Sequence, residues 1–256
     1  MLPRLFSTVA TPMPAPASAS VAAARGVYVT GTDTGVGKSI TTAALLAALN
    51  AAGLRAVGMK PVASGSEATP QGLRNADADL LRAHSAGRPD YADVNPYTLA
   101  PPIAPHLAAD EAGVTIALPP LRAAYARLAG AADRVLVEGV GGWMAPLGCA
   151  PWQAGWMQAD LAKALDLPVI LVVGLRLGCL NHALLSARAI AADGCRLVGW
   201  IGNRIDPDML RAEENLATLR ALLPAPCLGV LPHRAGAESA AGELAPALAA
   251  AVAALR

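Results

Sequence analysis

Gly31-Thr-Asp-Thr-Gly-Val-Gly-Lys-Ser39 lies between an apolar run, Val27–Val29, and a helix-forming run, Ile40–Leu49. A glycine-rich turn that joins a strand to a helix and closes on Gly-Lys-Ser is a phosphate cradle. Its backbone N–H groups converge on phosphate oxygens, Lys38 reaches the outer phosphates and the Ser39 hydroxyl can ligate Mg²⁺. The usual pattern places its first glycine where Thr32 stands, and here that glycine comes one residue earlier, at Gly31. Gly35 and Gly37 still provide the positive-φ freedom such a loop needs. The expected ligand is a nucleoside triphosphate, held by Gly35, Val36, Gly37, Lys38, Ser39 and Ile40.

Working outward, the apolar text alternates between two kinds of segment. Val27–Thr30, Ala56–Lys60, Arg134–Glu138, Val169–Val173, Leu197–Ile201 and Cys227–Leu231 are near-continuous apolar runs. Such runs suit parallel strands buried on both faces. Between them, Lys38–Ala52, Met157–Leu165, His182–Ala192 and Met209–Leu223 read as helices, closed by Gly53, Gly194 or Pro224. The alternation predicts an α/β fold: a doubly wound, mostly parallel sheet of the P-loop NTPase type, flanked by helices on both faces. Residues 26–256 are expected to form a single domain. Residues 62–110 break the rhythm with Gly, Pro and polar residues, and read as a long irregular insertion. It serves either the site or mere connection.

The chain has 256 residues and is 54% hydrophobic, enough for a sizeable core. A net charge of +1 argues against a nucleic-acid surface. No apolar run approaches the roughly 18 residues of a membrane helix. Cys149, Cys179, Cys195 and Cys227 are too far apart for a C-x-x-C pair, which fits a reducing cytoplasm better than a disulfide framework or a zinc site. Residues 1–25 hold no acidic residue, and Pro12, Pro14 and Pro16 break any helix. They read as a disordered extension, with a transit peptide as the alternative.

In open parallel sheets, ligands sit beyond the carboxyl ends of the strands, so strand endings form a shortlist. Lys60 follows the second strand and would lie beside the triphosphate, or else snorkel from a sheet edge. Glu138 ends the third strand before Gly139, Val140, Gly141 and Gly142. A carboxylate there commonly holds Mg²⁺, and the alternative is a solvent-facing strand cap. Asp77 or Asp79 can supply a second oxygen ligand, or both can simply favour a helix N-terminus. Asn181 reads as a helix N-cap whose neighbouring N–H groups could bind a carboxylate. Asn203, before Arg204, either meets a nucleobase edge or takes a turn.

Taken in order, these stretches resemble one family, the dethiobiotin synthetases. The resemblance rests on Gly31–Ser39, Lys60-Pro-Val-Ala-Ser-Gly65, Gly72-Leu-Arg-Asn-x-Asp77, Val94-Asn-Pro-Tyr-Thr98, Val137-Glu-Gly-x-Gly-Gly-Trp143, Pro168–Val173, Leu177-Gly-Cys-x-Asn-His182 and Gly199-Trp-x-x-Asn203. It covers about Gly26 to Arg234. It implies ATP-dependent closure of a ureido ring from 7,8-diaminononanoate and CO₂ through a carbamic-phosphoric mixed anhydride, giving ADP and phosphate. By position, Ser39, Asp77 and Glu138 resemble the Mg²⁺ set, and Lys38 and Lys60 the catalytic charges. Thr34 and Ser64 resemble substrate contacts, as do Gly178, Cys179, Leu180 and Asn181. The last four are expected to act from a neighbouring subunit, which implies a homodimer. Gly139, Val140 and Gly141 join the ATP contacts, and Asn203, Arg204, Pro232, His233 and Arg234 resemble the adenine side. Gly35 stands where some members carry Glu, and Glu238 is a weak adenine-side candidate. The main rival is a nucleotide-switch ATPase of the partitioning type. Such proteins typically carry an early loop lysine where this chain has Thr32 and Asp33.

Overall fold

A computed structural model describes residues 25–148, 155–233 and 241–256. Residues 1–24, Cys149, Arg234 and Glu238 lie outside the described residues, so the expectations placed on them go no further. Along the chain run β1 (Gly26–Gly31), α1 (Lys38–Ala51), β2 (Ala56–Met59), β3 (Val62–Ala63), β4 (Glu67–Thr69), β5 (Gly72–Arg74), α2 (Ala76–His84), α3 (Tyr91–Val94) and β6 (Tyr97–Thr98). There follow α4 (Pro105–Glu111), α5 (Leu118–Ala131), β7 (Arg134–Gly142), α6 (Gln158–Ala164), β8 (Val169–Gly174), α7 (Cys179–Ala192), β9 (Leu197–Asn203), α8 (Ala212–Leu222) and β10 (Cys227–Leu231). The chain closes with α9 (Ala241–Leu244), a 3-10 turn (Ala245–Leu248) and α10 (Ala249–Leu255).

Six strands form one sheet in the order β10-β9-β8-β1-β7-β2, and every pairing is parallel. The central strands are buried along their whole length, as their unbroken apolar text requires. Successive side chains point to opposite faces. Val27 and Val29 join the layer built with Leu45, Leu46 and Leu49 of α1, and Tyr28 joins the layer built with Leu121 of α5 and Ile190 of α7. Among the described residues no helix is long and apolar enough to cross a membrane.

The expected insertion is more ordered than its composition suggested. Residues 62–110 hold a two-stranded ladder β3–β6, a hairpin β4–β5 and helices α2, α3 and α4. Its order comes from side-chain bonds to backbone. Asn75 caps α2 by accepting from the Ala78 N–H (3.3 Å), and the Asn95 amide donates to the Lys60 carbonyl (2.6 Å). The segment thereby covers edge strand β2. Helix α5 did not stand out in the sequence, because Pro119 and Pro120 at its start resemble a break; proline is tolerated in a first turn.

Two boundaries correct the sequence reading. Strand β7 does not end at Glu138 but runs on to Gly142, with a break in its register against β1: Val29 faces Glu138, and Gly31 faces Gly142. Helix α7 begins at Cys179, with Gly178 at the N-cap (φ 95°) and no side-chain cap, so Asn181 sits inside the first turn and caps nothing. A left-handed glycine starts this helix one turn earlier than a polar cap would have done.

Candidate active site

The phosphate loop bridges β1 and α1. Gly37 holds the N-cap of α1 at φ 83°, and a side chain there would collide with the Asn203 amide. That amide, at the end of β9, donates to the Val36 carbonyl (3.0 Å) and fixes the loop from its far side. No side chain caps α1, so its first N–H groups remain for an anion. The Lys38 ammonium donates to the Asp33 carbonyl (2.8 Å). The Asp33 carboxylate in turn accepts from the Thr34 N–H (2.7 Å) and from Arg176 after β8 (2.6 Å). Burial, and next the neighbouring Lys60 charge, push the Lys38 ammonium down to about 8, against the opposing pull of Glu138, Asp77 and Asp33.

Three ionisable groups meet beside this loop. The Lys60 ammonium, 3% exposed, lies 2.6 Å from Glu138 Oε1 and 2.9 Å from Asp77 Oδ2. Ser39 Oγ donates to the same Glu138 oxygen (2.7 Å). Burial alone would lower the Lys60 ammonium, but the Glu138 and Asp77 carboxylates outweigh it and hold it well above the ordinary lysine range. Burial would likewise raise Asp77, and the Lys60 charge overrides that and holds it below its ordinary value. Glu138 is 0% exposed, and its second oxygen, Oε2, is buried without a partner.

A cleft of about 650 Å³ opens over these groups, lined by Thr34, Gly35, Gly37, Lys38, Ser39, Ile40, Lys60, Ser64, Asp77, Leu80, Val140 and Gly141. Hydroxyl and carboxylate oxygens are the donors a hard cation prefers, Ser39 and Asp77 line the cleft, and behind them the Glu138 Oε2 atom is left without a hydrogen-bond partner. Among the described residues no three His, Cys, Asp or Glu side chains gather into a metal site of their own. Mg²⁺ is usually bound by one or two carboxylates together with substrate phosphates.

The structure gathers about half of the expected residues around one cleft; Glu138 does not line it and meets it through Ser39 and Lys60. Asp77 faces it from the first turn of α2, whereas Asp79 turns toward Arg74 (4.0 Å). Lys60 does not snorkel: its buried side chain turns in to Glu138 and Asp77, while the Asn95 amide holds its backbone carbonyl. Val36 serves through its carbonyl, its side chain being buried in the core. Other expectations fall elsewhere. Gly139 packs against Gln158 instead of lining the cleft. Arg204 is paired with Glu213, and its carbonyl is 3.0 Å from His233 Nδ1; neither residue, nor the exposed Pro232, lines the cleft. Gly178, Cys179, Leu180 and Asn181 do not line this chain's cleft, and Cys179 is buried in the core. Sequence reasoning placed Asn95 only in the Val94–Thr98 stretch around the site, without its bond to Lys60, and assigned no role to Arg176 or Gln158. Each acts through a tertiary contact that spacing does not encode.

A family model described as "AAA domain" matches residues 25–241. The ATP-dependent dethiobiotin synthetase BioD of Xanthomonas euvesicatoria is 60% identical over 214 residues, 84% of this chain and 93% of that protein. The protein of the same name from Xylella fastidiosa is 58% identical over 206 residues, 80% of this chain and 89% of its own length. Among solved structures, the MinC:MinD cell division complex of Aquifex aeolicus aligns with a TM-score of 0.57 at 16% identity, covering 91% of this chain and 95% of that one. MinD of Pyrococcus horikoshii complexed with Mg-ADP gives 0.53 at 16% identity, covering 90% and 94%. At such identities the likeness to MinD is one of fold.

Proposed function

The chain belongs to the ATP-dependent dethiobiotin synthetase family, and on that premise we propose that it closes the ureido ring of dethiobiotin from 7,8-diaminononanoate, CO₂ and ATP. One amine of the diamine adds to CO₂ and loses a proton, giving a carbamate. A carbamate oxygen attacks the γ-phosphorus, and ADP leaves. The second amine then attacks the carbonyl carbon, and the C–O bond to phosphate breaks. Carbamate oxygen is a poor leaving group, and phosphorylation makes it a good one.

The observation that carries this reading is the Lys60–Glu138–Asp77 cluster beside the phosphate loop. Lys38 and Lys60 bring two cations to one cleft, where charge develops on the transferring phosphoryl group and the carbamate. Ser39, Asp77 and Glu138 would hold Mg²⁺, which neutralises phosphate charge when bound. Ser64 and Thr34 line the same cleft and would contact the diamine. The uncapped start of α7, Gly178 to Asn181, offers free N–H groups suited to the diamine carboxylate. Lying outside its own chain's cleft, it would serve the site of a second copy, in a homodimer. Asn203 would stand on the adenine side.

Phosphate release from MgATP and bicarbonate, assayed with and without the diamine, tests the reading. Diamine-dependent release supports it. Release indifferent to the diamine would instead support a nucleotide-switch ATPase.

A further inference from the structure

The register break between β1 and β7 needs an explanation that neither strand provides. Between Val29 and Gly31 lies only Thr30, and between Glu138 and Gly142 lie three residues, Gly139 to Gly141. Three residues opposing one must bulge out of the ladder and leave backbone groups unpaired. The bulge follows directly on Glu138 and puts Val140 and Gly141 into the cleft wall.

Gln158 spans this break. Its amide nitrogen donates to Thr30 Oγ1 on β1 (3.0 Å) and to the Gly142 carbonyl where pairing resumes on β7 (3.0 Å). The amide group also fills the space that a side chain at position 139 would need. Gln158 is fully buried, and its Oε1 has no partner, a cost that a packing residue would avoid by being apolar. Its own backbone is pinned, because its N–H donates to the Ala145 carbonyl (2.9 Å). The side chain is therefore a brace from a fixed point to both lips of the bulge.

We infer that Gln158 is the positioning residue of the Gly139–Gly141 bulge, and through it of the Glu138 carboxylate and the Val140–Gly141 wall. This rests on the reading that Glu138 serves the Mg²⁺–nucleotide complex. Groups that orient a metal-binding carboxylate from behind are typically worth about 10- to 100-fold in metal affinity or activity.

The test is the Mg²⁺ concentration that half-saturates binding of a non-hydrolysable ATP analogue, read by calorimetry alongside steady-state kinetics. Gln158→Met keeps the volume and removes both bonds. Thr30→Val removes one bond with a residue that strands favour, and decides the matter if the first variant does not fold. Both variants are expected to raise the Mg²⁺ half-point and lower kcat, by about tenfold or more for Gln158→Met, with the KM for ATP within a few-fold. Folded variants with the wild-type half-point and kcat would overturn the inference and leave Gln158 as packing. Wild-type nucleotide binding that ignores Mg²⁺ would overturn the metal reading itself, and that failure appears before any variant is made.

Discussion

Glu138 and Lys60 show how two buried side chains of opposite charge are accommodated together. A carboxylate without solvent contact is tolerated because an ammonium and a hydroxyl sit within 2.7 Å of one oxygen. Removing one member leaves the other unpaired, which typically costs about 3–5 kcal/mol. Lys60→Met should therefore lower stability to urea by an amount of that order. It should also cut ring closure by at least about 10²-fold while ATP binding, measured by calorimetry, stays within a few-fold. Near-normal turnover would remove Lys60 from the chemistry. Lys38 gives a second expectation at this scale. Its folded value of about 8 lies below the ordinary 10.5, so between those limits the folded chain holds fewer protons than the unfolded one. Stability should rise with pH across that window as the buried charge is relieved. A bound triphosphate favours the charged ammonium, so nucleotide binding there should take up protons. Calorimetry in buffers of different ionisation heat would detect the uptake.

Helix α7 separates two readings that its sequence left joined. Asn181 caps nothing, so Asn181→Ala should leave the melting temperature unchanged or slightly raised, alanine being the better helix former. If its amide serves the diamine carboxylate, the same change should raise the KM for the diamine about tenfold or more and spare that for ATP. A hydrogen bond to a charged group is worth about 1.5–3 kcal/mol. Steady-state kinetics with each substrate varied in turn would check this. The same helix shows why legibility differed along the chain. The six sheet strands were readable because unbroken apolar runs have few other uses, and the phosphate loop because its glycines and Lys38 are local in sequence. The start of α7 was not, since Gly178 takes a left-handed turn where a polar cap was expected. Strand β7 was read as ending at Glu138 because its last residues are mostly glycine, which strands disfavour; Gln158 holds them in place from outside the strand. Lys60, Asp77, Glu138 and Ser39 were nameable individually, but the hydrogen bonds and salt bridges joining them span up to 99 positions and exist only in the fold.

The sheet order gathers the site. With β1 between β7 and β8, the phosphate loop, the Glu138 bulge and the Arg176 loop all emerge at the same edge. Strand β2 beyond β7 adds Lys60. The proposed second copy belongs to this scale. Leu177, next to Gly178, is 91% exposed, and Leu185 on α7 is also exposed. Leu177→Asp should shift the protein from dimer to monomer in sedimentation and lower ring closure, while nucleotide binding persists. A monomeric wild type with full activity would contradict the shared site. The most direct measurement is a single turnover with MgATP, the diamine and freshly dissolved CO₂ carrying heavy carbon and heavy oxygen, with mass detection of both products. Ring closure through a phosphorylated carbamate should put the heavy carbon into a product of dethiobiotin mass and one heavy oxygen into the released phosphate. Phosphate released at the same rate without diamine, with no labelled organic product, would contradict it.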